Sequence, residues 1–428
     1  MKKLLFLTSF LILSFVSLGQ STYVVTMKNT FDNPVLESRQ NNSDRILQSD
    51  SNKGRRAEKK NKLQNFVNNK GIRKIDNQFV DVKVGFVAPL TDQEVQSLKN
   101  DPNVESVVMD IQVQGRPMMQ GEPGSQGRPI MQGRPIMQSR GMTNSDWLYD
   151  ENNKASCAIE LVGGSINSNN RKESIWIIDT GVDMTHKDLK VNRNQKLAAS
   201  FVLGESPFED FLGHGTHCAG LAAGKGSGRL SANGVSSGAE IIPIKVFNRE
   251  GVSSWSKILL ALDHIANYGQ EGDVVLMSLG SYDVSECSDS NPLLTSAILN
   301  IANKGMFVVM SAGNEGGEAH RNLPGCINGQ NIFTVGALDF TCDSLGEKYS
   351  ESNFGLDVDY FVPGSKVFST WSKDALGNGE RGSNPYQIMS GTSMAAAIMA
   401  GIIHATNGNP KKIGEIDVDG KTYPKAGR

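Results

Sequence analysis

Apolar positions recur with two different rhythms along this chain, and the change falls near Asn144. Between residues 22 and 113, the runs TYVVTMK and FVDVKVGFVAPL alternate apolar and polar positions as half-buried strands do, and VESVVMDIQV predicts a third strand. TDQEVQSLKNDP reads as a short helix, with Thr91 as its N-cap, Glu94 three residues on and Pro102 as its stop. Residues 50 to 70, rich in Lys, Arg and Asn, are helical or loose, so this part forms a small α+β module. Beyond Asn144 the apolar runs become nearly continuous: SIWIID (174 to 179), EIIPIKV (240 to 246), DVVLMSL (273 to 279), MFVVMS (306 to 311) and NIFTVGA (331 to 337). Helical patterns stand among them in GTHCAGLAAG, SWSKILLALDHIANYG, PLLTSAILNIANKG and GTSMAAAIMAGIIHA. Such an arrangement predicts an α/β fold with a parallel sheet covered on both faces. In these sheets the ligand crevice lies beyond the carboxyl ends of the strands.

Between the two parts, QGRPMMQ at 114 to 120 recurs as QGRPIMQ at 126 to 132 and GRPIMQ at 133 to 138. Repeated Gly and Pro disfavour packed elements, so residues 114–143 are expected to be an extended linker. At the other end, Lys2 and Lys3 precede an apolar run from Leu4 to about Leu18, then Gly19, Gln20 and Ser21. This is the layout of a signal peptide over residues 1–20, shorter than a spanning helix needs, and it points to a secreted protein. A net charge of -2 gives no electrostatic case for a nucleic acid or membrane partner. Export permits disulfides, but five cysteines leave at least one thiol unpaired, and their spacing fits no common zinc arrangement.

The polar motifs fall where the crevice should be. Asp179 ends the strand IWII, His214 enters a helix between Gly213 and Gly215, and Ser393 starts a helix in MSGTSMAAA. Asn314 follows another buried strand in MSAGNEGG. An activated serine needs a base within reach and an acid that fixes the base's tautomer, and an amide can serve a developing oxyanion. Each motif alone also reads as a turn or a helix start; their order along one sheet is what argues for chemistry.

On these motifs (IIDTGVD, GHGTHCAG, AGNEG and SGTSMA) the chain resembles the subtilisin-like serine proteases of the subtilase family, most closely the proteinase K branch. The order Asp, His, Ser belongs to that resemblance. It implies a three-layer fold with a central, mostly parallel sheet over 144–428, preceded by a ferredoxin-like inhibitory propeptide of the I9 type over 22–113. It implies Asp179, His214 and Ser393 as catalytic residues and Asn314 with the Ser393 N–H as the oxyanion hole. Ser278, Leu279 and Gly280 would pair with a peptide substrate, as would Gly251 and Ser253 on the opposite edge. Trp255 would line S4, and Ala312 and Gly313 the second wall of S1. No acid stands in these S1 segments, so an apolar or aromatic P1 residue is expected. Asp359, with the carbonyls of Gln330 and Ile332, matches a structural calcium position; catalysis needs no cofactor. Cys218 would be a buried thiol near His214. The loops carrying Cys287 and Cys326 should be neighbours, giving a disulfide; Cys157 and Cys342 remain unassigned. His217 is expected to be structural, and His186 and Asp188 to organise a loop.

The implied function is a secreted endopeptidase acting on proteins or peptides, made as an autoprocessed zymogen that its own propeptide inhibits, and acting as a monomer. A narrow-specificity processing protease and a non-catalytic binding protein on the same fold are the alternatives. Ala397 and Ile398 depart from the family, which has a Pro-His pair there, and EIDVDGKTYPKAG predicts a C-terminal hairpin.

Overall fold

The computed structural model describes residues 20–28, 31, 45–110, 112–114, 130–131, 134–135, 148–150, 152–228, 230–282, 287, 291–377, 380–381 and 384–428. Residues 1–19 of the expected signal segment, most of the repeat, Asn144 to Trp147 and most of the acidic insertion around Cys287 lie outside them.

All six residues of Ser174–Asp179 are buried, as an apolar run covered on both faces must be. This strand sits inside a ten-stranded sheet. Its order is Ala199–Ser200, Glu240–Lys245, Ser174–Asp179, Val274–Met277, Phe307–Ser311, Ile332–Phe340, Tyr360–Pro363, Lys421–Gly427 and Lys411–Val418, with Leu345–Lys348 antiparallel on Ile332–Phe340. Pairing is parallel from Ala199–Ser200 through Tyr360–Pro363, so the carboxyl ends of these strands share one edge. The C-terminal hairpin joins the far side, with Phe361 opposite Lys425.

Helices His214–Ala223 and Thr392–Thr406 pack in one core, and Trp255–Tyr268 and Pro292–Asn303 in the other, giving three layers. The first two helices are buried nearly all round, which their short Ala- and Gly-rich faces permit. Ala397 and Ile398 are fully buried inside an unbroken Thr392–Thr406 helix, so the departure there leaves the element intact.

The N-terminal module is a four-stranded antiparallel sheet ordered Asn77–Phe79, Gly85–Leu90, Ser21–Met27, Val104–Met109. Helices Arg45–Asn69 and Asp92–Lys99 accompany it, the second carrying the expected capping box of Thr91 and Glu94. Two expected strands are shorter than their apolar pattern. FVDVKVGFVAPL divides, because the N–H groups of Val80, Asp81 and Val82 donate to Asp263 Oδ1 on helix Trp255–Tyr268 at 3.0, 2.5 and 3.0 Å. VESVVMDIQV breaks at Asp110, whose carboxylate accepts the N–H and Oγ–H of Ser256 at 3.1 and 2.6 Å. That carboxylate serves donors in the first turn of helix Trp255–Tyr268, where no intrahelical acceptor exists. Both acids lock the N-terminal module onto the larger one.

Candidate active site

Asp179 and His214 meet because the chain between strand and helix can approach closely. His214 Nδ1 lies 2.8 and 2.9 Å from the two Asp179 carboxylate oxygens. A Cβ on Gly215 would come 2.1 Å from the Gly181 carbonyl and 3.2 Å from Asp179 Cβ, so no other residue fits there. Gly213, at φ 79°, turns the chain into the helix and has no side chain with which to cap it. Asp210 supplies that cap. It is fully buried and accepts from Gly213 N–H, Thr216 N–H, Thr216 Oγ1 and Thr180 Oγ1 at 2.7 to 2.8 Å. Sequence reasoning missed Asp210; the available signal was an acid three residues before a glycine that begins a helix without a capping side chain.

Burial works against a charged imidazole at His214, but the Asp179 carboxylate outweighs it and holds the His214 pKa well above its ordinary value. Cys218, one turn on, places its sulfur 4.0 Å from Nδ1; it is a buried free thiol, and burial raises its pKa. His217 is structural: Nε2 faces the carbonyls of Val367 and Gln387 at 3.2 and 3.1 Å, and burial lowers its pKa to about 3. His186 and Asp188 organise their loop, with His186 Nδ1 accepting Asp188 N–H at 3.2 Å and Asp188 accepting Tyr386 Oη–H at 2.8 Å.

Ser393 stands in the first turn of the neighbouring helix, where backbone N–H groups lack i−4 acceptors. Its Oγ donates to the Ser278 carbonyl at 3.3 Å, and Ser278 Oγ donates back to the Ser393 carbonyl at 3.2 Å. Ser278 also touches Cys218, so it links the two helix starts. His214 Nε2 is buried without a hydrogen-bond partner. Asp179, His214 and Ser393 are 1%, 2% and 0% exposed, so the site is covered. The Asn314 amide oxygen accepts Thr392 N–H and Oγ1–H at 2.8 and 3.0 Å, which leaves Nδ2 as the donor of this amide.

The two expected edges flank this point. Ser278 leads into Leu279–Gly280 on one side, and Gly251 turns the chain into Val252–Ser254 on the other, with Ser253 buried. Trp255 is also buried, in a core that includes Val24, Phe79, Val82 and Val87 of the N-terminal module. Ala312 and Gly313 are held by Asn353, which donates to the Ala312 carbonyl at 3.0 Å and to Glu315 Oε2 at 2.7 Å. Glu315 is therefore an acid beside the S1 wall, occupied by Asn353, and burial raises its pKa. Asn353 is a second residue that sequence reasoning missed.

Each edge is already paired. Gln112–Gln114 runs antiparallel along Val252–Ser254, and Ile130–Met131 along Leu279–Gly280. Arg134–Pro135 pairs with Met389 and Ser390, just before the Ser393 turn. The repeat, expected to be unpaired linker, thus supplies strands to the crevice. A cavity of about 810 Å³ borders one of these edges, lined by Val252, Ser253 and Ser254 together with Ser21, Asp110 and Lys257.

Asp359 is brought to the strand bearing Ile332: its Oδ2 accepts Thr334 N–H at 2.8 Å and its own N–H donates to the Thr334 carbonyl at 2.9 Å. Burial, with the charge of Asp357 added, raises its pKa to about 6. Asp357 and Asp359 are hard carboxylate donors of the kind a calcium ion accepts, with Lys421 as a partial counter-charge. Cys287 is joined to Cys326, and Cys157 to Cys342.

Residues 170–411 match the subtilase family and residues 22–115 the peptidase inhibitor I9 family. Subtilisin-like protease 1 of Pseudogymnoascus destructans is 32% identical over 54% of this chain and 50% of its own length. Subtilisin DY of Bacillus licheniformis is 33% identical over 53% of this chain and 73% of its own length. Proteinase R of Parengyodontium album is 28% identical over 77% of this chain and 71% of its own. The chain spans about half the length of the first of these relatives. With a matching region that covers both strand-end motifs and the Ser393 helix, the chain belongs to the subtilase family and carries an I9 propeptide domain ahead of the subtilase domain.

Proposed function

We propose that the chain is the precursor of a secreted serine endopeptidase that hydrolyses peptide bonds through an acyl-enzyme. Residues 1–20 serve as signal, 22–113 as inhibitory propeptide, 114–143 as linker and 144–428 as catalytic domain. The observation that carries this reading is the Asp179–His214 pair at the carboxyl edge of the sheet, linked through Cys218 and Ser278 to Ser393. As Ser393 Oγ attacks the substrate carbonyl its proton passes to His214 Nε2, which has no hydrogen-bond partner in the precursor. Asp179 stabilises the resulting imidazolium, and the Asn314 amide and Ser393 N–H receive the oxyanion. Leu279–Gly280 and Val252–Ser254 offer backbone to an extended peptide, which favours loose reading of side chains. Asn353 engages the nearby Glu315, which supports an uncharged P1 residue, apolar or aromatic in the general substrate. A serine-directed phosphonate should label the processed enzyme at Ser393 and leave Ser393→Ala unlabelled. No adduct on the processed wild type would favour a binding protein on this fold.

The Asp359 site supports a structural calcium, with catalysis itself needing no cofactor. Adding chelator to the processed enzyme should lower its melting temperature, and calcium should restore it; an unchanged melt would remove the ion from the account. Protein or peptide substrates and the chain's own propeptide are the partners proposed for a monomer, with no nucleic acid and no membrane after signal removal. Among the described residues no helix is long and apolar enough to cross a membrane.

A further inference from the structure

The cavity beside Val252–Ser254 is walled by opposite charges from the two modules. Among the described residues that line it, the N-terminal module contributes the carboxyl groups of Asp76 and Asp110 and no base. The larger module contributes Lys257 and no acid. Asp110 sits at the start of helix Trp255–Tyr268. Its carboxylate accepts Ser256 N–H at 3.1 Å and Ser256 Oγ–H at 2.6 Å, and Ser254 adds a side-chain hydrogen bond. The Ser256 N–H has no acceptor within its helix and stands at the positive end of the helix dipole. Lys257 faces the same carboxylate, and its other acidic neighbour, Glu205, is shared with Lys245 at 3.2 Å and Arg249 at 3.4 Å. Ser253, 1% exposed, lines the cavity as well, and its Oγ is buried without a hydrogen-bond partner.

One backbone register carries both the strand and the acid. Gln114 lies opposite Val252, Val113 opposite Ser253 and Gln112 opposite Ser254. Two further steps along each chain reach Asp110 and Ser256, the pair that is hydrogen-bonded. We propose that in the processed enzyme this turn, with Lys257, is an anion subsite that selects an aspartate or glutamate in the substrate. The acid lies two residues upstream of the substrate residue opposite Ser254, and Asp110 holds the place in the precursor. Once Asp110 has left, Lys245, Arg249 and Lys257 share Glu205, so positive charge at this end of the crevice is in excess. Edge pairing reads side chains loosely, whereas a carboxylate here gains charge-assisted hydrogen bonds that an uncharged residue cannot match.

The subsite presupposes that Ser393 is the nucleophile of a peptidase, and the test separates the two. Processed enzyme is given peptides with one cleavable core, phenylalanine before the bond, and an upstream Gly/Ser tail in which Asp or Asn is moved one place at a time. Asparagine keeps an acceptor and loses the charge, so the Asp/Asn ratio of kcat/KM within one enzyme isolates the charge. At one tail position the ratio should reach about ten, the worth of one charge-assisted hydrogen bond, and should fall as ionic strength rises. Lys257→Gln should bring that ratio toward one, and Lys257→Glu should push it below one. A wild-type ratio near one at every position, or a ratio unmoved in Lys257→Glu, would overturn the subsite while leaving the peptidase reading intact. No cleavage of any peptide, together with no phosphonate label on Ser393, would instead remove the peptidase reading and the subsite with it.

Discussion

At the scale of single residues, the candidate site was legible where its members sit on short glycine-bearing motifs and hard to read where they act through backbone. Asp179, His214, Asn314 and Ser393 each stand next to turns that leave a mark in the sequence. Asp210 leaves only the mark of an acid three residues before a helix-starting glycine, and Asn353 leaves none, since their partners are largely N–H and carbonyl groups, which nearly every residue possesses. The pair at the centre makes a prediction about pH. His214 must be neutral to accept the Ser393 proton, and Asp179 holds its pKa above the ordinary value of 6.5. The active fraction therefore grows as pH rises, and the acid limb of kcat/KM in the processed enzyme should have its midpoint above pH 6.5. Asp179→Asn removes the charge that favours imidazolium, so the limb should move to lower pH while kcat falls by about 10⁴ as the tautomer is lost. A pH–rate profile of both enzymes checks this. A wild-type midpoint at or below 6.5, or an unmoved limb in the variant, would contradict the account.

At the scale of elements, the long buried strands and helices matched their sequence periodicity, because a parallel sheet covered on both faces leaves little room for another pattern. The misses are two-residue strands and broken runs, where pairing is decided by a partner distant in sequence. Phe79 and Gly85 belong to separate strands because Asp263 gathers the N–H groups between them. This contact should make propeptide docking depend on pH. Burial, followed by the nearby Asp81, raises the Asp263 pKa to about 7, with Arg56 partly offsetting them. A docked carboxyl group then keeps a proton between roughly pH 4 and 7 that an exposed one would have lost. Its contribution is full below pH 4 and is lost as pH rises through 7. In a Ser393→Ala background, resistance of the propeptide to added protease should decline over that window. Asp263→Asn, which keeps an acceptor oxygen without the titration, should flatten the decline. Equal slopes in the two precursors would show that Asp263 does not govern docking.

For the whole molecule, the question is what holds the catalytic part together once the chain ahead of it has been cut. Any cut upstream of Leu148 leaves the hairpin of Tyr149–Asp150 and Ala155–Ser156 within the new N-terminal stretch. Arg428 N–H reaches the Val162 carbonyl at 2.7 Å, so this stretch also holds the C-terminus. Cys157–Cys342 fastens it to the strand Ile332–Phe340 across a sequence separation of 185, whereas Cys287–Cys326 spans only 39. The family resemblance implied Cys287–Cys326 and left Cys157 and Cys342 unassigned, since that pairing depends on the sheet order that brings residue 157 beside residue 342. If a bridge acts mainly by restricting the unfolded chain, the longer loop contributes about 1.4 kcal/mol more. Replacing Cys157 and Cys342 together by serine should therefore cost more stability than replacing Cys287 and Cys326. The comparison belongs in urea on a Ser393→Ala background, because an active enzyme would digest its own unfolded fraction and turn an equilibrium into a rate. A smaller or equal loss from the Cys157 and Cys342 pair would mean that native contacts around the hairpin, and not loop closure, secure this part of the chain.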